Sequence, residues 1–367
     1  MSADADRLRT WRLVSQRLGA ERCPAPEEAV EWLGGVQAQD YRWAKWSIGL
    51  RTAGCTVEDV DRAIHERRIV RTWVFRGTLH FVAAKDLAWL TALLAPGIIR
   101  KNARRYRQLE LDDRAFVQSQ RVLDKALQVD SALTRAEIKA RFELEGVPAQ
   151  GQQLPYLLQR AALDGLICQG PPKGSEPTYV LLAERIEPRQ PLDRDEALAL
   201  LAQRYLASHG PATRQDYAWW SGLSAKEARL GIDSAPGLVP LEVDGTEYWI
   251  ADDPPSAGLE DAAHLLPPFD EYLLGYKERS LVLEPAFARR VNAGGGMLKP
   301  TVLLNGHIVG MWSYKREKEG LAVAIQPFGQ LESNERDSID DAGTPLGRFL
   351  SLPVKLTGAM SEDGLVG

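Results

Sequence analysis

Only three cysteines occur in the 367 residues, Cys23, Cys55 and Cys168, and no two of them form a CxxC pair. That spacing excludes a disulfide framework and a structural zinc site as far as spacing can. Histidine is also scarce. The five present (His65, His80, His209, His264 and His307) have no metal-ligand spacing. No phosphate-cradling GxxxxGK[ST] loop, GxGxxG, GxSxG or HExxH is found. A metalloenzyme or a nucleotide-hydrolysing enzyme is therefore not expected, and neither a metal nor a cofactor is called for. No apolar run is long enough to cross a bilayer. The longest, from Leu87 to Ile99, contains Pro96-Gly97. The opening MSADADRLRTWRL has no signal-peptide apolar region, so the expected location is the cytoplasm, and no membrane partner is expected. Nothing suggests a dimerisation helix, and a monomer is expected.

What is present is an ordinary globular balance, with 44% hydrophobic and 26% charged residues. The net charge of −5 argues against a protein that coats nucleic acid, yet it permits a local basic face. Arginine supplies 33 of the 45 basic residues, which a GC-rich genome would also produce. Residues 97–107, GIIRKNARRYR, carry five positive charges and no acid, whereas 332–341, ESNERDSIDD, are net −4 and expected to be exposed.

Along the chain, helical patterns at 4–19, 26–34, 41–51 and 57–66 precede a β-branched, aromatic run, IVRTWVFRGTLHFV (69–82), that reads as a hairpin. Helices followed by a hairpin are the pattern of a winged helix-turn-helix. It recurs: Thr134 with Glu137 forms a capping box, a helix at 152–166 follows, and 167–182 read as a hairpin. Thr213 with Asp216 repeats the box 79 residues later, before a helix at 224–230 and a hairpin around Asp244-Gly245. From 264 onward the chain is mainly strand, with a hairpin at Asn305-Gly306 and a short terminal helix at 344–356. The expected fold is mainly α with small β-hairpins. Its expected units are 1–110, 111–187 and 188–367, with a Pro-containing joint at 188–191.

The most unusual string is GGVQAQDYRWAKW (34–46). In extended backbone, Gln37 and Gln39 point to the same side and bring two amides to one small volume. On the residues alone, the plainer reading is a loop or helix cap whose amides bond nearby backbone. Asp40 should point away from the pair by alternation. Lys45 is the nearest lysine, and no Schiff-base chemistry is suggested.

Together with RGTLHFV (76–82), DYAWWSGLS (216–224), LLPPFDEYLLGYKER (265–279) and VLLNGHIVGMW (302–312), that string resembles the AlkZ-like family of winged-helix DNA glycosylases. The resemblance runs over essentially the whole chain. It implies three tandem winged helix-turn-helix units in a C-shape around double-stranded DNA, with Gln37 and Gln39 as the catalytic pair. It also implies monofunctional excision of N7- or N3-alkylated purines and unhooking of azinomycin-type interstrand crosslinks, a self-resistance function. A noncatalytic winged-helix regulator is the alternative, and an adaptor that has lost DNA binding is a third reading.

The chemistry suits the residues. An N7-alkylated guanine is already cationic, so its departure needs little acid help. A glutamine carbonyl can stabilise charge on the sugar and hold a water, but it cannot serve as a strong base. The expected DNA contacts are Arg42 and Lys45 beside the pair, Arg76 on the first hairpin, and Arg100, Lys101, Arg104, Arg105 and Arg107 in the basic run. Gln152 and Gln153 would start a recognition helix, and Lys315, Arg316 and Lys318 would sit at the tip of the last hairpin. His80 reads as a packed histidine, and the string from Phe269 to Tyr276 has no assigned role.

Overall fold

The computed structural model describes residues 3–184, 192–252, 263–294 and 296–357. The joint expected at 188–191 lies outside them. The helix starts follow the chain's own caps. Thr134 and Glu137 close a reciprocal box on the Arg135–Leu144 helix, and Thr213 and Asp216 close one on Arg214–Ser221. Three more boxes occur among the described residues: Thr56 with Asp59 before Val57–His65, Ser224 with Glu227 before Ala225–Ser234, and Glu332 with Glu335 before Ser333–Asp341. Each cap satisfies amide groups that the first helical turn would leave unpaired. The Asn305-Gly306 turn has φ of 48° and 83°, the left-handed pair that a tight hairpin requires.

The expectation of a mainly α fold with small hairpins does not hold. Half the structure (50%) is helix and 23% is strand, a mixed α/β fold. Two features account for the difference. First, the hairpins at 69–82 and 167–182 are not separate wings. Ile69–Trp73 and Ile167–Lys173 pair antiparallel through Arg71 and Gln169. The result is one six-stranded sheet, in the order Val36–Gln37, Leu79–Ala83, Ile69–Trp73, Ile167–Lys173, Glu176–Leu181, Leu133–Thr134. Second, the last hairpin belongs to a five-stranded sheet, in the order Val354–Thr357, Leu321–Pro327, His307–Arg316, Thr301–Leu304, Ala263–Leu266. This sheet curls into a half-barrel.

The terminal segment also departs from expectation. A helix spans only Gly343–Leu350. Ser351 then turns in the left-handed region, and Val354–Thr357 adds a parallel strand beside Leu321–Pro327. The acidic run forms a helix, Ser333–Asp341, that buries only Ile339.

Two apolar cores result. One gathers side chains from Val70 to Tyr276, including Leu90, Leu158, Leu201 and Trp220. The other joins the first part of the chain to the half-barrel, with Leu13, Trp46 and Phe81 packed among Leu265, Trp312 and Phe349. The Trp46 indole donates to the Leu265 carbonyl at 2.7 Å. Beside it a charge pair is completely enclosed. Arg51 donates two hydrogen bonds to Asp270, at 2.9 and 2.8 Å, and neither side chain is more than 1% exposed. Ser47 adds a third bond to that carboxylate at 2.6 Å.

Candidate active site

The short Val36–Gln37 strand lies at the edge of the six-stranded sheet, where Gln37 pairs with His80 and Val36 with Phe81. The Ala38 amide still donates to Leu79 O at 2.7 Å, and the chain then leaves the sheet. Asp40 accepts from the Arg42 and Trp43 amides and so starts the Tyr41–Leu50 helix. The helix cap is thus Asp40, and the two glutamines are left for another purpose. Ala38 is fully buried, and its carbonyl accepts from Arg71 Nε at 2.9 Å. A bulkier residue would find no room there without local repacking. Alternation puts Gln37 and Gln39 on one side, with Gln37 buried and Gln39 exposed.

The amides are tied together. Gln37 Nε2 donates to Gln39 Oε1. Arg76 Nη2 donates to Gln37 Oε1 at 2.9 Å, and its other terminal nitrogen donates to Trp220 O. Beneath the pair lies Glu271, fully buried. Its carboxylate accepts from the Gln37 backbone N–H at 3.4 Å and from Trp220 Nε1 at 3.0 Å, and lies 3.4 Å from His209 Nε2. Burial pushes the Glu271 pKa up. The His209 side-chain hydrogen bond and the Arg76 charge outweigh that, so the net shift is downward. Burial drives the His209 pKa down, which leaves its ring neutral at pH 7.

His80 is fully buried with Nδ1 3.0 Å from Thr78 O, so the proton sits on Nδ1. Burial, reinforced by the Arg76 charge, lowers its pKa to about 3. A ring that stays neutral at physiological pH is a packing residue here, edge-on to Phe75 at 5.1 Å. Among the described residues no group of three His, Cys, Asp or Glu side chains is placed to hold a metal ion. The arrangement can therefore present a polarised pair of side-chain amides, one anchored and one exposed, whose hydrogen-bond partners are each other and the Arg76 guanidinium.

A family model described as DNA glycosylase AlkZ-like matches residues 30–349. The chain belongs to the AlkZ-like DNA glycosylase family. A curated relative from Streptomyces sahachiroi, an interstrand DNA cross-link repair glycosylase, is 27% identical over 353 residues, which is 90% of this chain and 92% of the relative. A solved structure, Streptomyces sahachiroi DNA glycosylase AlkZ, superposes with a TM-score of 0.81 at 26% identity. It covers 97% of this chain and 100% of that one. The chain is thus an enzyme of the DNA glycosylase class, and the regulator reading falls away.

In this AlkZ-like chain the expected DNA contacts divide into exposed and engaged side chains. Arg42 is exposed in the first turn after the glutamines. Lys45 is not. It is buried, with Nζ 2.8 and 2.9 Å from the Asp61 carboxylate oxygens. Arg100, Lys101, Arg104 and Arg107 project into solvent from the Leu87–Gln108 helix. Arg105 is half-buried and donates to Gln108 and Gln152. Gln152 is exposed, whereas Gln153 donates to Leu109 O at 3.0 Å and accepts from the Gln150 amide. Asn102 donates to Gln159, which in turn donates to Gly77 O, both at 2.8 Å. The basic helix is thus fastened to the turn that holds Arg76. Lys315, Arg316 and Lys318 are exposed at the hairpin tip among Glu317 and Glu319. Just behind that tip the hairpin reaches the active-site helix, because Trp43 Nε1 donates to Tyr314 Oη at 2.9 Å.

Glu271, and Arg76 in its inward-facing role, were not foreseen. The signal for Glu271 was present. Two acids stand in the apolar string LLPPFDEYLL, and carboxylates that share an element with so many core side chains need built-in partners. Asp270 has Arg51, and Glu271 has Trp220, His209 and Gln37.

Proposed function

We propose that this glycosylase releases cationic N7- and N3-alkylpurines from double-stranded DNA and unhooks interstrand crosslinks, with Gln37 and Gln39 as the catalytic residues. The observation that carries this reading is the tied pair itself, in which a buried amide orients an exposed one. In the reaction the C1′–N9 bond breaks and its electron pair neutralises the purine. The positive charge passes to the sugar. The amide carbonyl oxygens stabilise that charge and hold a water, which adds to C1′ and loses its proton to solvent. A water attacking an oxocarbenium ion needs positioning more than deprotonation, and two amides can supply that. The exposure of Gln39 suits a lesion tethered to both strands, which cannot be drawn deep into a pocket without straining the other strand. The protein would act as a monomer in the cytoplasm, without metal or cofactor.

The test is base release from duplexes carrying N7-methylguanine, an interstrand crosslink between purine N7 atoms, or hypoxanthine. The first two should be processed and hypoxanthine should not, because nothing in contact with the pair donates a proton to a neutral leaving group. Efficient hypoxanthine release would show that acid catalysis had been overlooked.

Binding to undamaged duplex should be salt-sensitive and nearly sequence-neutral. Arg100→Ala and Arg104→Ala should each flatten the slope of log Kd against log salt by about one. A titration at several ionic strengths with unchanged slopes would remove these side chains from the DNA interface.

A further inference from the structure

Arg76 occupies a backbone conformation that its residue type seldom adopts. Its φ is 56° within the Phe75–Gly77 turn, beside Gly77 at 77°. Glycine would sit there without strain, so an arginine at such a position points to work done by its side chain. The guanidinium does not extend into solvent like those of Arg100 and Arg104. It meets Gln37 Oε1 and the Trp220 carbonyl and lies 5.0 Å from the centre of the Trp219 ring.

We propose that Arg76 is a positioning residue, which acts through Gln37 to set the orientation of both catalytic amides. This rests on the glutamine assignment above. The argument is one of donor and acceptor counting. An amide can rotate by half a turn with little change in shape, which exchanges its oxygen and its nitrogen. A guanidinium has only donors, so the Gln37 atom facing it must be Oε1. Gln37 Nε2 then faces Gln39, and Gln39 must answer with Oε1. One cation at the inner end therefore fixes two amides in series. The Gln39 oxygen is polarised by one donor and keeps a second lone pair for the water or the sugar. Without Arg76 the pair can adopt the reversed sense, in which Gln39 turns its NH₂ group inward to a Gln37 oxygen. The buried Glu271 carboxylate fixes only the Gln37 backbone and cannot select between the two senses.

The experiment compares Arg76→Gln, Arg76→Lys, Gln37→Ala and Arg76→Gln/Gln37→Ala on N7-methylguanine duplex. Single-turnover rate at saturating enzyme, Kd against salt, and a melting temperature are measured for each. Arg76→Gln places a side chain that can donate or accept, so the rate should fall by about 10- to 100-fold, the scale of a small misplacement of a reacting group. Arg76→Lys keeps a donor-only cation and should regain part of the loss. The salt slope should not move, because both terminal nitrogens of the guanidinium are already engaged within the protein. The double variant should be no slower than Gln37→Ala, since Arg76 acts through that residue. If Arg76→Gln fails to fold, the same cycle is read with Arg76→Lys. A slope reduced by about one with a normal saturated rate makes Arg76 a phosphate contact and overturns the proposal, as do losses that multiply in the double variant. A slow Gln37→Ala beside a full-rate Arg76→Gln sinks the Arg76 role alone. A full-rate Gln37→Ala sinks the glutamine assignment and this inference with it.

Discussion

Gln39→Ala should slow release of N7-methylguanine by about 10²- to 10³-fold, the usual cost of removing one preorganised polar group from a reacting centre. Gln39 is exposed, so truncation leaves no core cavity, and the melting temperature should stay within a degree or two of the parent. Gln37→Ala should be comparably slow. It removes the donor to Gln39 and leaves Arg76 without its amide partner, so a small loss of stability accompanies it. Because the two amides act as one unit, the double variant should be little worse than the slower single one. The measurement is single-turnover base release beside a thermal melt of each variant. Near-normal rates in both would refute the catalytic assignment.

Arg51→Met should destabilise the fold by about 3–5 kcal/mol, the cost of leaving a buried charge without its partner. It strands Asp270, which keeps only Ser47 and the Tyr272 amide as partners. Arg51 also donates to the Gln16 backbone and side chain, so the loss loosens the N-terminal helix as well. Replacing both partners, Arg51→Met with Asp270→Leu, should recover much of the loss. In the parent, burial works to raise the Asp270 pKa, but Arg51, Ser47 and the Tyr272 amide outweigh it and hold it below the usual carboxylate value. A depressed folded pKa means that this stabilisation is present above the unfolded value near 3.9. It is lost as pH falls through the folded value. Denaturant titrations at pH 7 for each variant, and an acid titration of the parent, check both statements.

The parts of this structure that could be read from sequence are those decided by neighbours along the chain. Both four-residue capping boxes, at Thr134 and Thr213, and the turn at Asn305-Gly306 formed where their local chemistry put them. Pairings over long separations were not legible. Arg71 meets Gln169, 98 residues away, and that contact fuses two expected wings into one sheet. Nothing in either hairpin's alternation indicates which edge will find a partner. The same limit applies at the active site. The glutamine pair was visible as a motif, whereas Glu271 reaches Gln37 across 234 positions. Lys45, expected as a DNA contact, pairs instead with Asp61 on the next helix, a partner that the local string does not show.

The core that supports the catalytic strand draws on Leu13 at one extreme and Phe349 at the other, and this has a consequence for synthesis. At about 5–20 residues per second, roughly 10–50 s separate the appearance of Gln37 from that of Glu271. Throughout that interval the amide pair lacks the half-barrel behind it, and for most of it lacks the Trp220 carbonyl that anchors Arg76. A nascent chain, or one cut short before the half-barrel, therefore holds both glutamines but not the framework that orients them. The core around the catalytic strand is complete only after Phe349 has been added.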